Sequence, residues 1–229
     1  MSKFIYAAKT DAGTVKSVNQ DSLLIQHAKY KSDEIVLAIL CDGLGGLRLG
    51  EVASATIVQS FSIWFENQNF DQSLFCIQES IEKQLNIVNE KIRNYAQQKQ
   101  IQMGSTCSGI LFIQNQYILF HIGDTRIYTL KKQVKQLTVD HRKNEHLLEQ
   151  CIGVHETIHP QFQIQNVDTN LFLLCSDGFY NQLPAQFFQE FKMVRSAKNI
   201  QNLLQKWIHF DKEQHEKDNL SAIGIRILP

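Results

Sequence analysis

Five aspartates carry the chemistry this sequence can do. Asp21, Asp42, Asp124, Asp177 and Asp218 each stand at the edge of an apolar, strand-like run, and Asp42, Asp124 and Asp177 each touch a glycine. Carboxylates at the ends of buried strands can converge in space although they are far apart in the chain. Once gathered they repel one another, which is costly unless cations neutralise them. Hard divalent cations take carboxylate, carbonyl and water oxygens in preference to thiolate or imidazole. A binuclear Mg2+ or Mn2+ centre is the economical expectation, and zinc has little support on the reading that the histidines show no H-x-x-x-H or H-E-x-x-H pattern.

The stretch Ile35 to Ser54 shows how one of these acids is placed. The β-prone run Ile35 to Leu40 stops at Asp42, passes through Gly43, Gly45 and Gly46, and resumes as a helix. Glycines there let the backbone turn tightly and leave its carbonyls and amides uncovered. Taken alone, Asp42-Gly43 is equally an ordinary turn dipeptide.

The elements that must position the acids follow from periodicity. Phe4 to Lys9 reads as a strand, Asp11 to Gly13 as its turn, and Asp21 leads into a strand at Ser22 to Ile25. Val52 to Phe65 and Leu74 to Tyr95 carry apolar residues at helical spacing, as a pair of packed helices would. Short strands follow at Ser105 to Ile113, Tyr117 to Ile122, Arg126 to Leu130 and Gln133 to Leu137. Residues 142 to 152 are expected to form a short helix capped by Gly153. Strands at Gln161 to Val167 and Asn170 to Cys175, helices at Pro184 to Phe191 and Ala197 to His209, and a strand at Leu220 to Leu228 complete the chain. So many strands, interrupted by amphipathic helices, fit two stacked sheets with helices outside them.

Composition limits the partners. With 229 residues the chain suits one good-sized core, and Lys plus Arg equals Asp plus Glu at 23 each. No global basic field draws in nucleic acid or an anionic membrane, so any phosphate chemistry must be local. Cys41, Cys76, Cys107, Cys151 and Cys175 show no C-x-x-C spacing and read as free thiols of a reducing compartment. The first residues lack a signal-peptide run and no segment reaches the length of a membrane span, so a cytoplasmic location is expected.

In chain order, Lys16-x-x-Asn-Gln-Asp21, Asp42-Gly-Leu-Gly-Gly46 with Gly50-Glu-x-Ala-Ser54, Gly104-Ser-Thr106, Gly123-Asp-Thr-Arg126, Leu137-Thr-Val-Asp-His141, Leu174-Cys-Ser-Asp-Gly178 and Asp218-Asn219 resemble the metal-dependent protein phosphatases of the PPM type (protein phosphatase 2C-like). The likeness covers nearly the whole chain. It implies an α+β fold, a four-layer α-β-β-α sandwich of two antiparallel sheets flanked by helix pairs. A single domain over residues 1–229 is expected, with a short or absent flap beside the site.

The resemblance also assigns roles. Asp42 would bridge two metals, the Gly43 carbonyl would bind one, Asp177 and Asp218 would hold the first and Asp21 the second. Asp124, with Asp177, matches a weaker third metal position; read by itself it is a turn-forming Asp. Lys16 stands where many members carry a phosphate-gripping Arg, which gives a point charge with looser geometry, or else it is a solvated surface lysine. Leu44 stands where eukaryotic members place a candidate acid, which argues for the bacterial branch and leaves protonation of the departing oxygen to water. Gln20 is a candidate to hydrogen-bond a metal-held water, Asn219 to orient Asp218, Arg126 to pair with a neighbouring acid, and His141 to stabilise the turn at Asp140. Thr106 and Ser176 are expected to satisfy backbone groups near the site.

The implied activity is hydrolysis of phosphoserine and phosphothreonine by a water activated between two metals. Phosphorylated protein is the implied substrate and a cognate bacterial serine/threonine kinase the implied partner, since compact members of this kind resemble those associated with secretion systems. Neither nucleic acid nor membrane is expected as a partner, and a monomer is expected. The alternative is a non-catalytic pseudophosphatase that binds phosphoproteins or regulators with the same fold.

Overall fold

The computed structural model describes residues 3–31, 33–44, 47–144 and 147–228. The elements in chain order are β1 (Lys3–Asp11), β2 (Ser22–Tyr30), β3 (Asp33–Cys41), α1 (Gly50–Asn67), α2 (Leu74–Lys99), β4 (Cys107–Ile113), β5 (Gln116–Ile122), β6 (Arg126–Leu130), β7 (Val134–Gln136), β8 (Arg142–Asn144), β9 (Leu147–Leu148), β10 (Gln161–Asn166), β11 (Leu171–Cys175), α3 (Asp177–Tyr180), α4 (Ala185–Met193), α5 (Ala197–Glu213) and β12 (Leu220–Leu228). They form two five-stranded sheets, ordered β1-β12-β11-β6-β7 and β10-β5-β4-β3-β2, with every neighbouring pair antiparallel.

Alternation along the strands builds the layers. In β3, Val36, Ala38 and Leu40 join the core between the sheets, while Ile35, Leu37, Ile39 and Cys41 face the layer of α1 and α2. In β12, Ile223, Ile225 and Ile227 face the opposite sheet, and Leu220 and Ala222 lie under α4 and α5. β3 is apolar on both faces, and β12 nearly so apart from Ser221 and Arg226, because helices cover what the other sheet does not. The α2 stripe Ile77, Ile81, Leu85, Val88 and Ile92 is buried against the second sheet at the expected helical spacing. The result is the four-layer α-β-β-α sandwich.

Among the described residues of 142–152 the expected helix is not there. Arg142 pairs with Leu148 and Asn144 with Leu147 across a two-stranded ladder, and Ile152 bridges Ser105. Leu147 is exposed, so this stretch has no buried stripe for a helix to present. Gly153 caps nothing: it adopts a positive φ of 96° and gives its N–H to Asn89 Oδ1 on α2 at 2.7 Å. A Cβ there would lie 2.5 Å from Ile92 Cγ2. Gly45 and Gly46, part of the expected glycine turn, lie outside the described residues. Among the described residues no helix is long and apolar enough to cross a membrane.

Candidate metal centre

The five acids meet at one end of the sandwich because each follows or precedes a strand that ends there. Asp42 leaves β3, Asp21 enters β2, Asp124 turns from β5 to β6, Asp177 leaves β11 into α3, and Asp218 enters β12. Asp42, Asp124, Asp177 and Asp218 line a common cavity of about 400 Å³. Asp21 lies behind it, close enough for its charge to act on Asp42.

The backbone around Asp42 is held by the two residues that precede β4. Its N–H donates to Thr106 Oγ1 at 2.9 Å, and its carbonyl accepts from Thr106 N–H at 2.8 Å and Ser105 Oγ at 2.8 Å. Gly43 fits because nothing larger would: a Cβ would lie 2.5 Å from the Gly50 carbonyl and 2.7 Å from that of Gln20. Asn219 joins the loop before β2 to the loop before β12, accepting from Gln20 N–H at 2.9 Å and donating to the Ala12 carbonyl at 3.0 Å. Ser176 Oγ accepts Ser221 N–H at 3.0 Å, tying the start of α3 to β12.

The electrostatics are those of a crowded anion cluster. Asp21 is buried and neither of its carboxylate oxygens has a hydrogen-bond partner of good geometry; burial, helped by the charges of Asp177 and Asp218 and opposed by the nearby Ser221 and Ser176 hydroxyls, pushes its pKa up to about 7. Asp177 is raised to about 6 by burial and by Asp124 and Asp218. Asp42 is driven well above the usual carboxylate range by burial and by the other four acids.

Two cations partly compensate. Lys16 Nζ lies 3.2 Å from Asp218 Oδ1, so this lysine faces the cluster and is not a free surface charge. Arg142, from β8, donates from Nε to Asp124 Oδ2 at 2.6 Å and from Nη2 to Asp177 Oδ2 at 3.3 Å. The same Nη2 also reaches Tyr180 Oη at 3.3 Å, and that hydroxyl donates to the Asp124 carbonyl at 3.1 Å. Arg142 and Tyr180 were invisible in the sequence, because the acids they serve lie 18 to 56 positions away.

Other expectations resolve in detail. Arg126 holds Asp140 with Nε at 3.0 Å and Nη2 at 2.7 Å, and its guanidinium stacks 3.7 Å above the Tyr180 ring. His141 Nδ1 accepts from Gly123 N–H at 3.2 Å, so it steadies the turn carrying Asp124 and not the one at Asp140. Gly123 itself needs its positive φ of 109° in that turn. The Gln20 side chain donates to Glu51 Oε2 at 3.2 Å. Histidine spacing requires a correction: His155-Glu156-Thr157-Ile158-His159 is an H-E-x-x-H string. Zinc binding by that string needs a helix to bring both rings to one face, and residues 153–160 form a non-helical loop.

The residues present fit hard divalent cations. Asp21 offers two buried oxygens with no donor, and the Gly43 carbonyl sits beside Asp42 in a turn with no room for a side chain. Among the described residues no three acid, histidine or cysteine side chains are gathered tightly enough to hold an ion by themselves, so the carbonyl and water oxygens would share the coordination.

A family model for protein phosphatase 2C matches residues 11–217. The serine/threonine phosphatase stp of Listeria innocua is 26% identical over 240 aligned positions, which cover 94% of this chain and 92% of that one. Protein phosphatase PhpP of Streptococcus pneumoniae is 29% identical, with 93% of each chain covered. The crystal structure of serine/threonine phosphatase Stp1 from Staphylococcus aureus superposes with a TM-score of 0.85 at 22% identity, covering 98% of this chain and 95% of that one. The catalytic domain of PstP in complex with two manganese ions superposes with a TM-score of 0.80 at 23% identity over the whole of both chains. With a match running through Asp21, Asp42, Asp124 and Asp177 and ending one residue before Asp218, the chain belongs to the protein phosphatase 2C family.

Proposed function

We propose that this protein hydrolyses phosphoserine and phosphothreonine on proteins by direct attack of water, in a metal-dependent reaction, and that it opposes a serine/threonine kinase. The observation that carries this reading is the convergence of Asp21, Asp42, Asp124, Asp177 and Asp218, whose mutual repulsion calls for bound cations. Two Mn2+ or Mg2+ ions, with a weaker third, would supply charge neutralisation for the phosphoryl oxygens and acidify the attacking water.

The chain's own residues hold and orient. Asp177 and Asp218 would hold one cation and Asp21 the other, with Asp42 serving both and the Gly43 carbonyl one of them, and Asp124 with Asp177 would hold the third. Lys16 and Arg142 bring positive charge to the rim of the acid cluster, where a phosphate dianion must approach. Arg142 presents the planar fork that Lys16 lacks, and it lines the cavity. Leu44, Leu148 and Val154 form an apolar wall of the same cavity, against which the substrate chain beside its phosphoresidue would lie. With Leu44 offering no proton, the departing alkoxide would take one from water.

The test is hydrolysis of p-nitrophenyl phosphate and of a phosphothreonine peptide with Mn2+, with Mg2+ and with EDTA, beside Asp177→Asn. Turnover that needs metal and disappears in the variant is expected. A folded protein inert under every metal would leave the cavity as a phosphoprotein-binding module.

A further inference from the structure

At the opposite end of the sandwich lies an open cavity of about 710 Å³ that the proposed reaction does not use. Its described lining carries Lys131, Lys132, Lys192 and Arg226 against a single carboxylate, Asp168. In a chain whose acidic and basic residues balance at 23 each, that is a local cationic excess. Lys131 is paired with Asp168 at 3.2 Å, and among the described residues neither Lys132 nor Lys192 forms an ion pair.

Arg226 makes this more than a patch of surface lysines. It sits on the central strand β12, opposite Ile5 of β1 and Leu171 of β11, on the face that lies under α4 and α5. Only 9% of it is exposed. Its Nη1 donates to the Lys192 carbonyl at 3.1 Å, but its buried Nε has no partner. Arg195 Nη1 donates to that same carbonyl at 2.9 Å, so two guanidinium groups converge on one acceptor with no anionic side chain among the described residues between them. Burial and the Arg195 charge together push the Arg226 pKa down. A buried charge is ordinarily paired, and a guanidinium with free donors facing a cavity is a fork for an oxyanion.

We propose that this cavity is a second anion site that takes a phosphate group, with Arg226 as its buried anchor and Lys132 and Lys192 as its rim. Phosphate fits the excess of positive charge and the several donors better than a single carboxylate does. Arg226 lies eight positions along the chain from Asp218, about 26 Å at the strand rise, so one phosphate cannot serve both ends. The ligand is either free inorganic phosphate or a phosphoryl group carried on a protein.

Calorimetric titration of inorganic phosphate into the full chain in EDTA tests this, because without cations the acid cluster at the other end repels the probe. Saturable binding to one site is expected. Affinity should fall at least about 10-fold in Arg226→Met. It should fall several-fold in the surface double variant Lys132→Ala/Lys192→Ala, whose Mn2+-dependent hydrolysis of p-nitrophenyl phosphate stays unchanged. A phosphothreonine peptide titrated alongside identifies the source: tighter binding than the free ion assigns the site to a phosphoprotein, and equal or weaker binding assigns it to free phosphate. Absence of saturable binding, or an affinity unchanged in the lysine double variant, overturns the proposal, and the lysine variant decides even if Arg226→Met does not fold.

Discussion

Arg142 sets the resting charge of the acid-lined end. Its guanidinium stands between Asp124 and Asp177, the two acids that the family resemblance assigns to the weakest metal position. Arginine and a cation there would compete for the same oxygens, which would give the third ion an internal rival. In metal-free protein, removing this partner leaves two part-buried carboxylates facing each other, at a cost of about 1–2 kcal/mol. Arg142→Gln should therefore lower the melting midpoint in EDTA by roughly 3–6 °C for a chain of this size. Titration of the same variant with Mn2+ should show the weakest ion binding more tightly than in the parent. An unchanged midpoint together with unchanged binding would remove Arg142 from any role in the metal balance. Nothing local in the sequence separates Arg142 from its neighbour Lys143. The aspartates were legible because a carboxylate beside glycine at the end of an apolar run has few other uses; the arginine became visible only when its partners were brought together.

At the scale of elements, legibility followed periodicity. The runs Ile35 to Leu40 and Leu171 to Cys175, apolar at every position, read as strands buried on both faces, and α1 and α2 read from their spacing of three and four. The ladder of β8 and β9 spans too few residues to show any period, and Leu147, Leu148 and Ile152 imitate a helical stripe. The four-residue α3, which begins at Asp177, is likewise too short to read.

Helix α5 carries an element-scale oddity that its amphipathic pattern concealed: Asp211 is buried, with no partner for either carboxylate oxygen. Burial, with Glu216 adding to it, pushes the Asp211 pKa up to about 7. The folded state therefore binds more protons than the unfolded one between about pH 4 and pH 7. Stability is lost as the pH rises through that window, the reverse of an ion-paired carboxylate. Three pKa units correspond to roughly 4 kcal/mol, and relaxation around the ionised group reduces this to about 2 kcal/mol. Asp211→Asn should abolish this loss and be the more stable protein at pH 8 by about that amount. Urea unfolding of both proteins at pH 5 and pH 8 measures it; parallel pH dependences would show that Asp211 is solvated or paired in solution.

For the molecule as a whole, the decisive feature is that the acid cluster straddles both sheets. Asp21 and Asp42 belong to β2 and β3 of one sheet, Asp177 and Asp218 to β11 and β12 of the other, and Asp124 sits in the turn that crosses between them. Between the sheets the contact is mainly apolar, built from residues such as Val36, Leu40, Phe112, Phe172 and Ile225, with polar ties at its margin such as Phe4 N–H to Glu34 Oε2 at 3.2 Å. Cations held by acids from both sides would therefore act as a clasp across the sandwich as well as at a reaction site. Such ions bind the folded chain and not the unfolded one, so each contributes about 2.7 kcal/mol when present at one hundred times its dissociation constant. For a chain of this length that is roughly 5–10 °C per ion in the melting midpoint. Calorimetry should show a single transition that Mn2+ moves upward and EDTA returns, and the shift should largely vanish in Asp177→Asn. Two transitions, of which Mn2+ moves only one, would instead place the ions on one sheet and make the sandwich two separately melting halves. A single transition displaced as a unit would mean that the site chemistry and the cohesion of the fold rest on the same five carboxylates.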